Sequence, residues 1–173
     1  MTHTKKRPEA NEYWDYYQTY TNKVEGNDAL KTLTDAKSKT IAFLKNLSEK
    51  QWNYRYTDNK WSIKEVLLHI IDTERIFAYR ALRIARNDKT PLMGFEQDDY
   101  IQYNYADNRS SESIIEEYES VRNATLTLFQ SMNDESLAFS GTASENPATA
   151  RALMFIMAGH EIHHLNILKE RYL

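Results

Sequence analysis

Apolar residues recur along this chain at intervals of three and four, in four long segments separated by polar or turn-rich stretches, and that period predicts helices. The first helix is predicted over about Asp28 to Leu47, where Leu30, Leu33, Ile41 and Leu44 repeat at helical spacing. Ser48 and Gln51 then read as a capping box for a short turn that carries Trp52. A second box, Ser62 and Glu65, opens a helix that runs to about Arg86. Its main stripe is Ile63, Val66, Leu67, Ile70, Phe77, Ala81 and Ile84, with Glu74 in the middle and His69 beside it. The third helix is predicted from about Ser111 to Met132, with Ile114, Tyr118, Val121, Thr125, Leu128, Phe129 and Met132 facing inward. Asn146 and Pro147 read as the N-cap and first helical residue of the fourth. From Pro91 to Tyr100 the helical period is lost and turn residues cluster, so Asp98 and Asp99 read as turn formers or solvated acids. Ahead of the first helix, Tyr13-Trp14-Asp15-Tyr16-Tyr17-Gln18-Thr19-Tyr20 is too aromatic to leave in water and is expected to pack along the bundle.

Composition narrows the classes. A chain of 173 residues normally buries a single core, so residues 1–173 are expected to form one domain, with the first ten frayed. Only 4 Gly and 3 Pro suit an all-helical fold. No apolar run approaches membrane-spanning length, and Met1 to Pro8 lacks the apolar segment of a secretory signal, so a cytoplasmic protein without a membrane partner is expected. The absence of Cys removes disulfides, thiolate ligands and a cysteine nucleophile. A net charge of −3 gives no broad basic surface and therefore no expectation of nucleic-acid binding.

The chemistry concentrates near the C-terminus, in His160-Glu161-Ile162-His163-His164. Projected at about 100° per residue, Leu153, Ile156, Met157, His160, His164, Ile167 and Leu168 form one stripe, with His163 at its edge and Glu161 on the other flank. Two imidazoles at i and i+4 share a helix face and can hold a divalent metal, leaving positions for a third ligand and water. Burying both without partners would be costly. The same letters satisfy the zinc-peptidase pattern H-E-x-x-H. That reading fails on its surroundings, because Ile167 and Glu170 stand where Gly and His would continue a metzincin motif, and few residues follow to supply a carboxylate. The third ligand is therefore sought upstream, where His3 lies in a polar N-terminus and His69 in a strongly helical segment, making His69 the candidate. Its place beside the main stripe permits this role without requiring it. Glu74 reads as a buried acid bonded to an Arg or Tyr, or as support for a histidine ligand. Arg80, Arg83 and Arg86 read as a solvated face, with Arg80 placed to meet an anionic substrate group.

The run Trp61 to Arg75, the loop Pro91 to Tyr100 and the ending Gly159 to Leu168, in this order and spacing, resemble the DinB/YfiT-like superfamily over nearly the whole chain. That resemblance implies an up-down-down-up four-helix bundle, usually a homodimer, with a divalent metal held by three histidines that map onto His69, His160 and His164. His163 resembles the non-ligating first member of the family's paired histidines. Family members include thiol S-transferases and isomerases using bacillithiol, mycothiol or related small thiols, and others described as metal-dependent hydrolases. The resemblance thus implies a small-thiol transferase acting on an electrophilic small molecule, or a hydrolase using water, with Glu161 or Glu74 as the candidate base. Imidazole ligands suit zinc or nickel, and also iron or copper. A third reading, a non-catalytic metal-binding dimeric stress or interaction module, draws on Met154, Phe155, Ile162 and Leu165, which lie off the metal stripe and would form a second apolar surface.

Overall fold

Side-chain caps decide where the long helices begin. In the computed structural model, which describes residues 6–173, Asp28 accepts from the Lys31 amide, Ser62 and Glu65 close a reciprocal box, Ser110 accepts from Ser113, and Thr149 accepts from Ala152. The elements in chain order are α1 (Gln18–Thr21), α2 (Ala29–Lys45), α3 (Glu49–Trp52), α4 (Ile63–Ala85), α5 (Gln97–Ile101), α6 (Ser111–Gln130), α7 (Asp134–Ala138), β1 (Ser140–Ala143), β2 (Asn146–Thr149) and α8 (Ala150–Arg171). The bundle is built from α2, α4, α6 and α8, all within a few residues of the predicted bounds. Among the described residues, no helix is long and apolar enough to cross a membrane.

Two apolar clusters give the helix directions. One gathers the starts of α2 and α8 with the ends of α4 and α6, through Leu33, Phe155, Ile84 and Phe129. The other gathers the opposite ends, through Leu44, Leu168, Ile63 and Ile114. The chain therefore runs up, down, down, up, as the family resemblance implies, and α2 packs on α6 and α8 while α4 packs on the same two.

The start of the fourth helix differs from expectation. Asn146 and Pro147 belong to β2, which pairs antiparallel with β1 in the register Ser140 to Thr149 and Ala143 to Asn146. Ser144 and Glu145, both with positive φ, make the tight turn between them. Leu92 joins this hairpin by donating to Thr142 O and accepting from Ser144 N, both at 2.9 Å. Thr149, three residues later than Asn146, caps α8 instead.

The aromatic arm is docked. Residues 1–5, including His3, lie outside the described residues. The expected fraying does not extend through residue 10, because the Arg7 guanidinium donates to the carbonyls of Thr21, Val24 and Gly26 at 2.7–2.8 Å. Where the arm crosses α8, a Cβ on Gly159 would stand 1.9 Å from the Tyr20 carbonyl oxygen, so only glycine allows this approach. From Ala152 to Glu161 every residue of α8 is buried. Met154 and Phe155 accordingly sit in the core and form no second apolar surface; Ile162 and Leu165 are half-buried.

At mid-height one cation joins all four bundle helices. Arg122 of α6, fully buried, donates from Nε and Nη2 to the two oxygens of Glu74 on α4 at 2.9 and 2.7 Å. Its Nη2 also reaches Glu161 of α8 at 2.7 Å, and its Nη1 reaches the Leu33 carbonyl of α2 at 3.2 Å. Tyr118 and Thr40 donate to the other oxygen of Glu161 at 2.6 and 2.8 Å. Burial works against the Arg122 charge, but the Glu161 and Glu74 carboxylates outweigh it and hold the pKa well above the ordinary arginine value. Removing the cation would leave two carboxylates facing each other in the core. Arg122→Ala is predicted to cost about 3–5 kcal/mol, read as a lower denaturant midpoint, with Arg122→Lys between it and wild type; an unchanged midpoint would show the clamp to be dispensable.

Candidate metal centre

His69 lies in the first third of α4, His160 at the middle of α8 and His164 one turn further on, so the antiparallel packing of those two helices brings three rings together from positions far apart in sequence. Nε2 of His160 is 3.0 Å from Nε2 of His69 and 3.0 Å from Nε2 of His164. The ligand atoms of all three lie within 4.8 Å of one another. His69 and His160 are buried and His164 half-buried. The His69 Nδ1 sits 3.5 Å from the Thr73 hydroxyl, one turn along α4, which leaves Nε2 to face the other rings.

Hydrogen bonding alone does not satisfy this arrangement. An imidazole nitrogen is either a donor of one proton or an acceptor through one lone pair, so Nε2 of His160 cannot serve two other ring nitrogens at once. A cation solves the problem, since metal–nitrogen bonds of about 2.0–2.1 Å place neighbouring ligand atoms roughly 3 Å apart. Protonation is also disfavoured. Burial pulls the pKa of His69 down to about 4. Burial, then the neighbouring His69 and His163, pulls His164 down to about 3. Burial, followed by the three other imidazoles, takes His160 well below the ordinary value. Three neutral nitrogens converging on one point are a donor set for zinc, nickel, iron or copper.

His163 stays outside the triad. It is half-buried, with its ring 5.4 Å from that of Tyr20, and Tyr20 in turn lies edge-on to His160 at 5.3 Å. Trp61 covers His69 at 5.0 Å. Glu161 does not point to solvent, and the hydrogen bonds it and Glu74 make go to the Arg122 clamp rather than to a histidine. Arg122 is the residue sequence reasoning passed over. The signal was available: it stands four after Tyr118 and three before Thr125, both in the inward stripe, and Glu74 needed a basic partner.

A cavity of about 580 Å³ opens beside the histidines, with His160 and Thr73 at its inner side, Tyr17, Tyr20, Phe77 and Phe95 among its walls, and Trp14 farther out. Asp98 and Asp99, in the first turn of α5, line it with Glu96. Arg80 is neither solvated nor open to an anion. It is buried, donates to the Met93 carbonyl at 2.7 Å and the Ser144 hydroxyl at 2.9 Å, and lies over the Phe77 and Phe95 rings.

Comparison with known proteins follows the same lines. The model of the DinB superfamily matches residues 32–168. No curated protein matches. Among solved structures the chain is similar to YfiT from Bacillus subtilis, described as a probable metal-dependent hydrolase with an unusual four-helix bundle topology. The TM-score is 0.67 at 12% identity, over 95% of this chain and 90% of that one, a likeness that carries the fold.

The depressed histidines make the metal-free protein sensitive to acid. Below the ordinary value of 6.5 the unfolded chain takes up protons that the folded rings refuse until about 4 at His69 and about 3 at His164. The unfolded state then binds more protons, so stability is fully present above 6.5 and declines as pH falls across that window. In chelator, the urea midpoint is predicted to drop from pH 7.5 to 4.5, and the slope to flatten in His160→Gln. Equal slopes in the two proteins would rule out this source of acid sensitivity.

Proposed function

Because the chain belongs to the DinB superfamily, we propose that it is a metal-dependent enzyme acting on a small molecule, with His69, His160 and His164 as the metal ligands. One observation supports this above the rest: three imidazoles, two buried and one half-buried, bring ligand nitrogens within 4.8 Å of one another beside a cavity large enough for a small substrate. A divalent cation held there would supply Lewis acidity, lowering the pKa of a water or thiol brought against it. The protein's own residues prepare that chemistry. Burial keeps the three rings neutral, Thr73 and the Trp61 ring orient His69, and the Tyr20 ring orients His160. Glu74 and Glu161 serve in this reading as positioning residues, because Arg122 engages both.

The nucleophile we favour is a small thiol, which starts from a pKa of about 8.5 against about 15.7 for water and so needs less assistance from a base. With both candidate bases tied to Arg122, that difference matters. The thiol proton would pass to solvent, a carbon–sulfur bond would form to an electrophile in the cavity, and the leaving group would depart with its electron pair. Hydrolysis is the second reading, favoured by Glu96, Asp98 and Asp99, whose carboxylates line the same cavity and can accept a proton.

Purified wild type is predicted to take up one divalent ion per chain, and His160→Ala and His164→Ala each to lose it, by metal analysis after dialysis. A panel of small thiols with a chlorinated electrophile should show thiol loss that depends on the ion. Ester or amide turnover without thiol would replace the transferase reading with hydrolysis, and full metal content in either variant would contradict the ligand assignment.

A further inference from the structure

We propose that the cavity beside the three histidines binds an organic cation, a small molecule whose ammonium or quaternary ammonium group sits among aromatic rings and carboxylates while its reacting end points toward His160. The inference rests on the reading above only for what happens at that inner end. Its basis is the composition of the cavity wall. Trp14, Tyr16, Tyr17 and Tyr20 come from the arm, and their rings lie 5.0–6.2 Å from their neighbours, mostly edge-on. Phe77 and Phe95 complete the apolar lining. Aromatic faces carry negative quadrupole potential and attract cations, most strongly where water is displaced.

Charge points the same way. Glu96, Asp98 and Asp99 line the cavity, and among the described residues none of the three is in an ion pair, whereas other acids such as Glu65, Asp88 and Glu117 are matched to arginines. No lysine or arginine is among the lining residues. One guanidinium, Arg80, lies behind the wall, bonded to Met93 O and the Ser144 hydroxyl and stacked on the Phe77 and Phe95 rings, and its single charge offsets only part of the three carboxylates. Against that one buried guanidinium, three exposed carboxylates leave the cavity net negative, so an anion would meet more charge of its own sign than of the opposite one, while a cation would meet the carboxylates and the rings of the arm. At about 580 Å³ the space suits a molecule of drug-like size rather than a bare ion.

Three probes of similar size separate the possibilities by charge: benzyltrimethylammonium, benzyl alcohol and phenylacetate, each titrated calorimetrically into metal-free and metal-loaded protein. The cation is expected to bind at least about tenfold more tightly than either of the others, and to weaken as salt is raised. The exposed pair Asp98→Asn with Asp99→Asn should reduce cation affinity about fivefold or more, with metal content unchanged. Equal affinity for the three probes, preference for phenylacetate, or an unaffected double variant would overturn the inference. The two proposals fail separately: a chain that binds no metal can still show the charge preference, and a normally loaded chain without that preference removes only the cation.

Discussion

The bundle depends on one guanidinium shared between two carboxylates. Arg122 reaches α4 through Glu74, α8 through Glu161 and α2 through the Leu33 carbonyl, so every long helix is referenced to the same buried group. Buried ion pairs often contribute little net stability, because desolvation offsets the attraction, yet separating the partners leaves a buried charge uncompensated and is strongly destabilising. Here the penalty acts on rotation. Glu161 follows His160 by one residue, about 100° around the helix, so aiming Glu161 into the clamp fixes the direction in which His160 faces. Glu74 does the same for α4 and its His69. The clamp thus connects the packing of the core to the geometry of the three rings.

The arm acts from the other side. Tyr20 lies against both His160 and His163, and it can do so because Gly159 lets the arm backbone touch α8. This explains why α8 lacks an exposed face along much of its length: its outer side is covered by residues that precede the bundle in sequence. The same residues wall the cavity, so the aromatic arm is at once core cover and binding surface.

Much of this was legible in the sequence. Helical period and the capping boxes at Ser48 and Ser62 place α2, α4 and α6 closely, and the i, i+4 pair His160 and His164 marks the centre, with His69 as partner. What was not legible has physical reasons. Asn146-Pro147 has the chemistry of a helix start, but Thr149 offers an equivalent cap, and a two-residue turn with a third segment at Leu92 makes a strand pair the better use of residues 140–149. Arg122 stands on the inward stripe of α6, but a lone charged residue there is distinguished from a solvated one only by its partners, and Glu74 and Glu161 come from two other helices. Met154 and Phe155 look surplus on a helical projection, since a projection contains no arm to cover them. Arg80 looks free for a similar reason: its partners come from the Met93 loop and the hairpin, neither of which helical period reveals.

The central claim is that His69, His160 and His164 together hold one cation. X-ray absorption at the edge of the bound metal, on protein reconstituted with one equivalent of zinc, tests it most directly. The account predicts a shell of three imidazole nitrogens at about 2.0–2.1 Å, with the outer-ring scattering that histidine produces. A first shell of oxygen alone, or one containing a single imidazole, would contradict it.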